Sequence, residues 1–296
     1  MALTGADFVD PVVAHIACST FAFLYVAGFY IFRSPDMLKL SRDHPQVMKA
    51  RIRSVMVASV VIPFIVWLII PEQRQYSLPK LLGIFPPHPI TGTFGPLLLL
   101  IILFFGPLVQ RGYEHALPFQ SDFNFYTDVV QVFTSLIGQR NFIVAPFTEE
   151  FVFRACIIPV LYYARFSRLY LILVSPMYFG LAHLHHIIEN YRQYGANKRA
   201  LKMAVLTTAF QFVYTTVFGW FVSFVFLRTA NIWSPILCHV FCNLMGFPRM
   251  EDIAYRKPNE QKVIWSAYVA GALLFIWCLY PLTNPVEAGS FYWIQQ

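Results

Sequence analysis

Three groups of polar side chains stand inside long apolar stretches: Glu149-Glu150 with Arg154, Phe179 with His183, and His239 with Asn243. Residues four apart lie on one face of a helix, so Glu150 and Arg154 can neutralise each other, and His239 and Asn243 point the same way, as do Phe179 and His183. Glu149 is about 100° around the helix from Glu150 and stays free to face a cavity. An acid, two imidazoles and an amide can together drive hydrolysis. The carboxylate takes a proton from water as general base, and an imidazole relays that proton to the leaving amine. Imidazole N–H and Asn amide donors suit the oxyanion of a tetrahedral intermediate. The pattern makes Glu149, His183, His239 and Asn243 the candidate catalytic residues. Glu150 and Arg154 form their scaffold, and Phe179 walls the site.

The elements that carry these groups are set by composition. Of 296 residues, 57% are hydrophobic and only 12% charged. Soluble domains run near about 45–50% apolar and 25% charged, so the chain lacks the charge to solvate a globule of its size. That excludes an ordinary soluble protein, a disordered chain and a nucleic-acid binder. A helical crossing takes about 20 mostly apolar residues. Eight stretches qualify, near 12–32, 55–70, 92–109, 141–163, 169–188, 203–228, 233–247 and 263–282. The expectation is an all-α polytopic membrane protein, a single bundle of about eight transmembrane helices with an interior catalytic cavity. No internal repeat divides the chain, so 1–296 reads as one domain with its motif-bearing core at about 139–250. A Pro-rich connector (Pro71, Pro79, Pro86, Pro87, Pro89) joins the second and third crossings, and Phe123 to Ile137 reads as an interfacial helix. The first apolar run, entered past Asp7 and Asp10 without a basic leader, reads as a retained span.

Sidedness follows from Lys and Arg. Loops 33–54, 110–140, 189–202 and 248–262 carry sixteen, against five on the other side (Arg74, Lys80, Arg165, Arg168, Arg228). The positive-inside bias places the first set in the cytosol, both termini opposite, and accounts for the net charge of +7. At 1.5 Å per residue, Glu149, His183, His239 and Asn243 then lie about 12, 9, 12 and 6 Å in from the cytosolic side. Three separate helices bring acid, imidazole and amide to one layer.

Other chemistries use the same side chains. Two His and a Glu form a known zinc set, although no His-Glu-x-x-His helix occurs. A cysteine nucleophile (Cys156, Cys238 or Cys242) ranks lower, because a thiolate in an apolar span is disfavoured without a nearby cation. All five cysteines (Cys18 and Cys278 are the others) lie in apolar runs and read as buried small hydrophobes. Intramembrane Glu and His also suit a proton- or ion-coupled transporter, but the paired broken spans of such folds are missing. His185 and His186 approach the cytosolic interface and read as solvated there or paired with Glu189 rather than as catalysts.

At these residues the chain resembles the type II CAAX prenyl protease, or Ras-converting-enzyme, family in its eukaryotic branch. The family's Glu-Glu-x-x-x-Arg, Phe-x-x-x-His and His-x-x-x-Asn motifs occur in order as Glu149-Glu150…Arg154, Phe179…His183 and His239…Asn243, within a similarity covering about 139–250. The resemblance implies a metal-independent glutamate-type endopeptidase of the endoplasmic reticulum, without cofactor. It would remove the last three residues of farnesylated or geranylgeranylated proteins ending in a Cys-a-a-X box, Ras-like small GTPases among them. Carried onto this chain, it implies that Glu149 and His183 activate water while His239 and Asn243 hold the oxyanion.

Overall fold

The computed structural model describes residues 8–71 and 75–294; Asp7 and Arg74 lie outside them. Among the described residues there is helix and no strand. The principal helices are α1 (Pro11–Ile31), α2 (Pro45–Ile69), α3 (Pro89–Leu103), α4 (Phe105–Tyr113), α5 (139–163), α6 (Arg168–Gln193), α7 (Lys198–Thr229), α8 (Trp233–Met245) and α9 (Pro258–Cys278). Five of them (α1, α2, α6, α7 and α9) are each long and apolar enough to cross a membrane, and α3 with α4 makes a sixth crossing if counted together. The chain is thus an all-α polytopic membrane protein. Each of the eight apolar stretches is helical, but α8 has only 13 residues and α5 is assembled from short pieces.

The local sequence sets the boundaries. Asp10 caps α1 by accepting from the N–H groups of Val12 and Val13, with Pro11 at the first helical position, where its missing N–H costs nothing. The pair His44-Pro45 starts α2 the same way. That helix therefore begins ten residues before the apolar run at 55–70 and takes Arg51 into its shaft. The third apolar stretch is not one straight rod: α3 and α4 meet at a 60° bend at Phe104. Pro107 has no N–H to return to the carbonyl of Leu103, so the hydrogen-bond ladder breaks there. Phe123 to Ile137 forms only short helical turns interrupted at Ser135, with Phe125 and Tyr126 exposed.

At the centre runs α5, whose Val152, Phe153, Ala155, Cys156, Ile157, Ile158, Val160 and Leu161 are fully buried or nearly so. Around it pack α1, α2, α6, α7 and α8, while α2 and α9 turn Val60, Phe64, Leu273, Ile276 and Trp277 outward. Small residues bring α6 and α7 close, as expected where packing rather than hydrophobicity joins helices in lipid. A Cβ on Gly219 of α7 would sit 2.5 Å from Pro176 Cβ and 3.0 Å from Arg154 Nη2. Loops expected on one side do meet: Arg140 pairs with Asp43, Arg33 and Arg51 with Glu189, and Arg249 and Arg256 with Glu114.

Candidate active site

The acidic motif sits where α5 changes its winding. Ala145–Glu150 is α-helical, whereas Gln139–Val144 and Phe151–Cys156 are wider π-turns, a form concentrated at functional sites. The second wide segment ends three residues before Pro159, which has no N–H to give its own helix. Glu150 and Arg154 remain in contact across this widened turn, with Arg154 Nη1 donating to Glu150 Oε1 at 3.2 Å and both residues fully buried. Phe179 lays its ring under the guanidinium, 4.8 Å from ring centre to Cζ. The expected neutral pair is present.

Glu150 has a further role that spacing alone did not reveal. It accepts from His239 Nδ1 at 2.7 Å, so the His239 ring is held from α5. Its other nitrogen, Nε2, stands 3.9 Å from Glu149 Oε2, a gap suited to a bridging water. One turn on along α8, Asn243 donates Nδ2–H to the carbonyl of Asn141 at 2.9 Å and is otherwise exposed. The shared face of His239 and Asn243 is thus the face that packs on α5.

His183 approaches from α6. The helix tightens to a 3₁₀ turn over His183–His185, and His183 Nδ1–H donates to the Phe179 carbonyl at 2.8 Å. That bond fixes the ring edge-on to Phe179, 4.5 Å between centroids, and leaves Nε2 with a free lone pair. Glu149, His183 and Phe179 line one cavity of about 130 Å³. His239 reaches its rim through Glu149, while Asn243 lies outside its lining.

The cavity also has walls that motif reading passed over. Tyr25 lines it from α1 and donates to Thr148 Oγ1 at 2.8 Å, the Thr148 hydroxyl being given to the Val144 carbonyl. Arg42, Arg51 and Arg140 line it as well, although by sequence they read as cytosolic-loop charge. Arg140 donates to Asp43 at 2.7 Å, which holds the Asp43 carboxyl below the usual carboxylate range. Among the described residues, the group with metal-ligand spacing is His185, His186 and Glu189, not Glu149, His183 and His239. Glu189 already pairs with Arg33 and Arg51, so cations occupy the carboxylate a metal would need. The five cysteines are free thiols, and Cys18, Cys156 and Cys238 are buried.

Fold and site together define a membrane-embedded enzyme. A family model described as type II CAAX prenyl endopeptidase Rce1-like matches residues 131–245, the stretch that holds all three motifs. The chain is 37% identical over 290 residues to "CAAX prenyl protease 2" of Homo sapiens, covering 94% of this chain and 83% of the relative. It is 34% identical to "Probable CAAX prenyl protease 2" of Schizosaccharomyces pombe, covering 86% and 88%. It is 31% identical to "CAAX prenyl protease 2" of Arabidopsis thaliana, covering 96% and 93%. The similarity therefore extends well beyond 139–250 into both ends of the chain. No solved structure gives a significant match. The chain belongs to the type II CAAX prenyl endopeptidase family and is an endopeptidase of membranes.

Proposed function

We propose that this protein removes the C-terminal aaX tripeptide from farnesylated or geranylgeranylated CAAX proteins, Ras-like small GTPases among them, at the cytosolic face of the endoplasmic-reticulum membrane. The observation that carries the reading is the sharing of one cavity by Glu149 and His183, with His239 Nε2 at 3.9 Å from Glu149, in a chain so similar to named CAAX proteases.

In this reading water lies between Glu149 and the Nε2 lone pair of His183. Glu149 takes a proton as the water oxygen attacks the carbonyl of the prenylated cysteine, and His183 orients the nucleophile. The oxyanion is met by the second N–H of Asn243 and by the His239 ring, whose Nδ1–H stays on Glu150. Collapse breaks the C–N bond, and the proton held by Glu149 passes to the departing amine. Glu150, Arg154 and Phe179 hold the geometry. The whole chain acts as one domain, with the prenyl chain in lipid and the peptide in the cavity.

Incubation of the purified protein with a farnesylated C-terminal peptide, with and without chelator, tests this by mass spectrometry. The expected product is the peptide shortened by three residues in both arms. An uncut peptide, or cleavage at another bond, defeats the reading. Activity lost to chelator and restored by zinc transfers it to a metal mechanism.

A further inference from the structure

Three arginines that line the cavity, Arg42, Arg51 and Arg140, together with Arg33 beside them, pair with only two carboxylates. Arg33 and Arg51 share Glu189, while Arg42 and Arg140 share Asp43. Arg51 is the unusual one. It is 8% exposed, lines the cavity, stacks over the Phe29 ring at 5.1 Å, and its Nε–H has no partner. A buried cation with unused donors is costly unless an anion completes it. Arg51 keeps its pair with Glu189 and also lines the cavity, so an anion entering there meets the unused Nε–H donor.

The reaction proposed above supplies one. A peptide cut three residues from its end carries a free α-carboxylate one tripeptide away from the scissile bond, about 10–11 Å when extended. Arg51 and Arg140 line the same cavity as Glu149, so an extended tripeptide in it can run from the Glu149 carboxylate toward them. Arg140 precedes Glu149 by nine residues of α5, at most about 13 Å along the axis. It lines the same cavity as Arg51, and Asp43 lies in the field of both.

We propose that Arg51, assisted by Arg140, binds the free C-terminal carboxylate of the substrate and so sets the length of the excised peptide at three residues. This rests on the protease reading and assigns the cavity a second, non-catalytic end. Guanidinium and carboxylate match in shape and charge, and the bond forms in a site largely shielded from water.

The test compares a prenylated peptide as free acid with the same peptide as C-terminal amide. Hydrogen bonds to a charged group predict that the amide has a kcat/KM roughly 10- to 100-fold lower. The free tripeptide acid should also inhibit and its amide should not. Arg51→Gln should bring the acid down to the amide's rate, Arg51→Lys should recover part of the preference, and Arg140→Gln should reduce it less. If Arg51→Gln does not accumulate in membranes, the wild-type acid, amide and inhibitor comparisons still decide. Equal wild-type rates for acid and amide overturn the inference, and equal rates with dependence on anionic lipid give Arg51 to a phosphate head group. A full preference kept by Arg51→Gln overturns the residue assignment. Failure to cut either peptide defeats the protease reading instead, and this inference with it.

Discussion

His239 donates Nδ1–H to Glu150 over 2.7 Å, and the same Glu150 oxygen accepts from Arg154 at 3.2 Å. One buried carboxylate thus neutralises a cation on its own helix and orients an imidazole from another. The two tasks can be separated by mutation. Removing one partner of a buried pair costs about 3–5 kcal/mol, whereas replacing both by apolar residues is often neutral. Glu150→Leu should therefore lower the melting temperature in detergent sharply. Glu150→Leu with Arg154→Met should restore it without restoring kcat. Full turnover in the double variant would show that Glu150 does not position His239.

Glu149→Ala and His183→Ala should each abolish cleavage while leaving the protein in membranes. Neither side chain is fully buried, and neither carries a neighbour's charge as Glu150 does. Wild-type cleavage by either purified variant would remove the proposed base or its partner.

Asn243→Ala should lower kcat by roughly 10²–10³, the usual cost of one oxyanion donor, with little change in KM. An unchanged kcat would confine Asn243 to its bond with the Asn141 carbonyl.

Gly219→Ala should lower the melting temperature, since its Cβ would meet Pro176 at 2.5 Å and Arg154 at 3.0 Å. Overpacking of this kind costs about 1–3 kcal/mol. Gly112→Ala is the control, with Leu117 Cδ1 at 3.5 Å as its nearest contact. Equal melting of the two variants would mean that the α6–α7 contact yields more easily than its geometry suggests.

The motifs could be read because lipid makes intramembrane charge conspicuous. Glu149, Glu150, Arg154, His183 and His239 stood out by type alone, and i, i+4 spacing correctly joined Glu150 to Arg154 and His183 to Phe179. The Glu150–His239 bond could not be read, because it joins residues 89 apart through the packing of α8 on α5. Helix-wheel arithmetic also assumes 3.6 residues per turn, and the π-turn at Phe151–Cys156 departs from it. Arg51 was hidden differently. Its neighbours Lys49 and Arg53 made it look like loop charge, when the Pro45 start places it on the inner face of α2. Cap chemistry at His44-Pro45 was the signal that could have revealed it.

The brevity of α8 bears on where the helix ends within a bilayer. Thirteen residues span about 20 Å, against a hydrocarbon layer of about 30 Å. One end must stop short of a head-group layer, and its loose backbone groups need polar company there. At the start of the helix protein supplies it: Asn231 accepts from the Trp233 N–H and donates to Thr93 of α3. At the finish Gly246 turns the chain away three residues after Asn243 and seven after His239. The shortness of the rod thus sets its finish, with the exposed Asn243, within the thickness that a full-length crossing would cover.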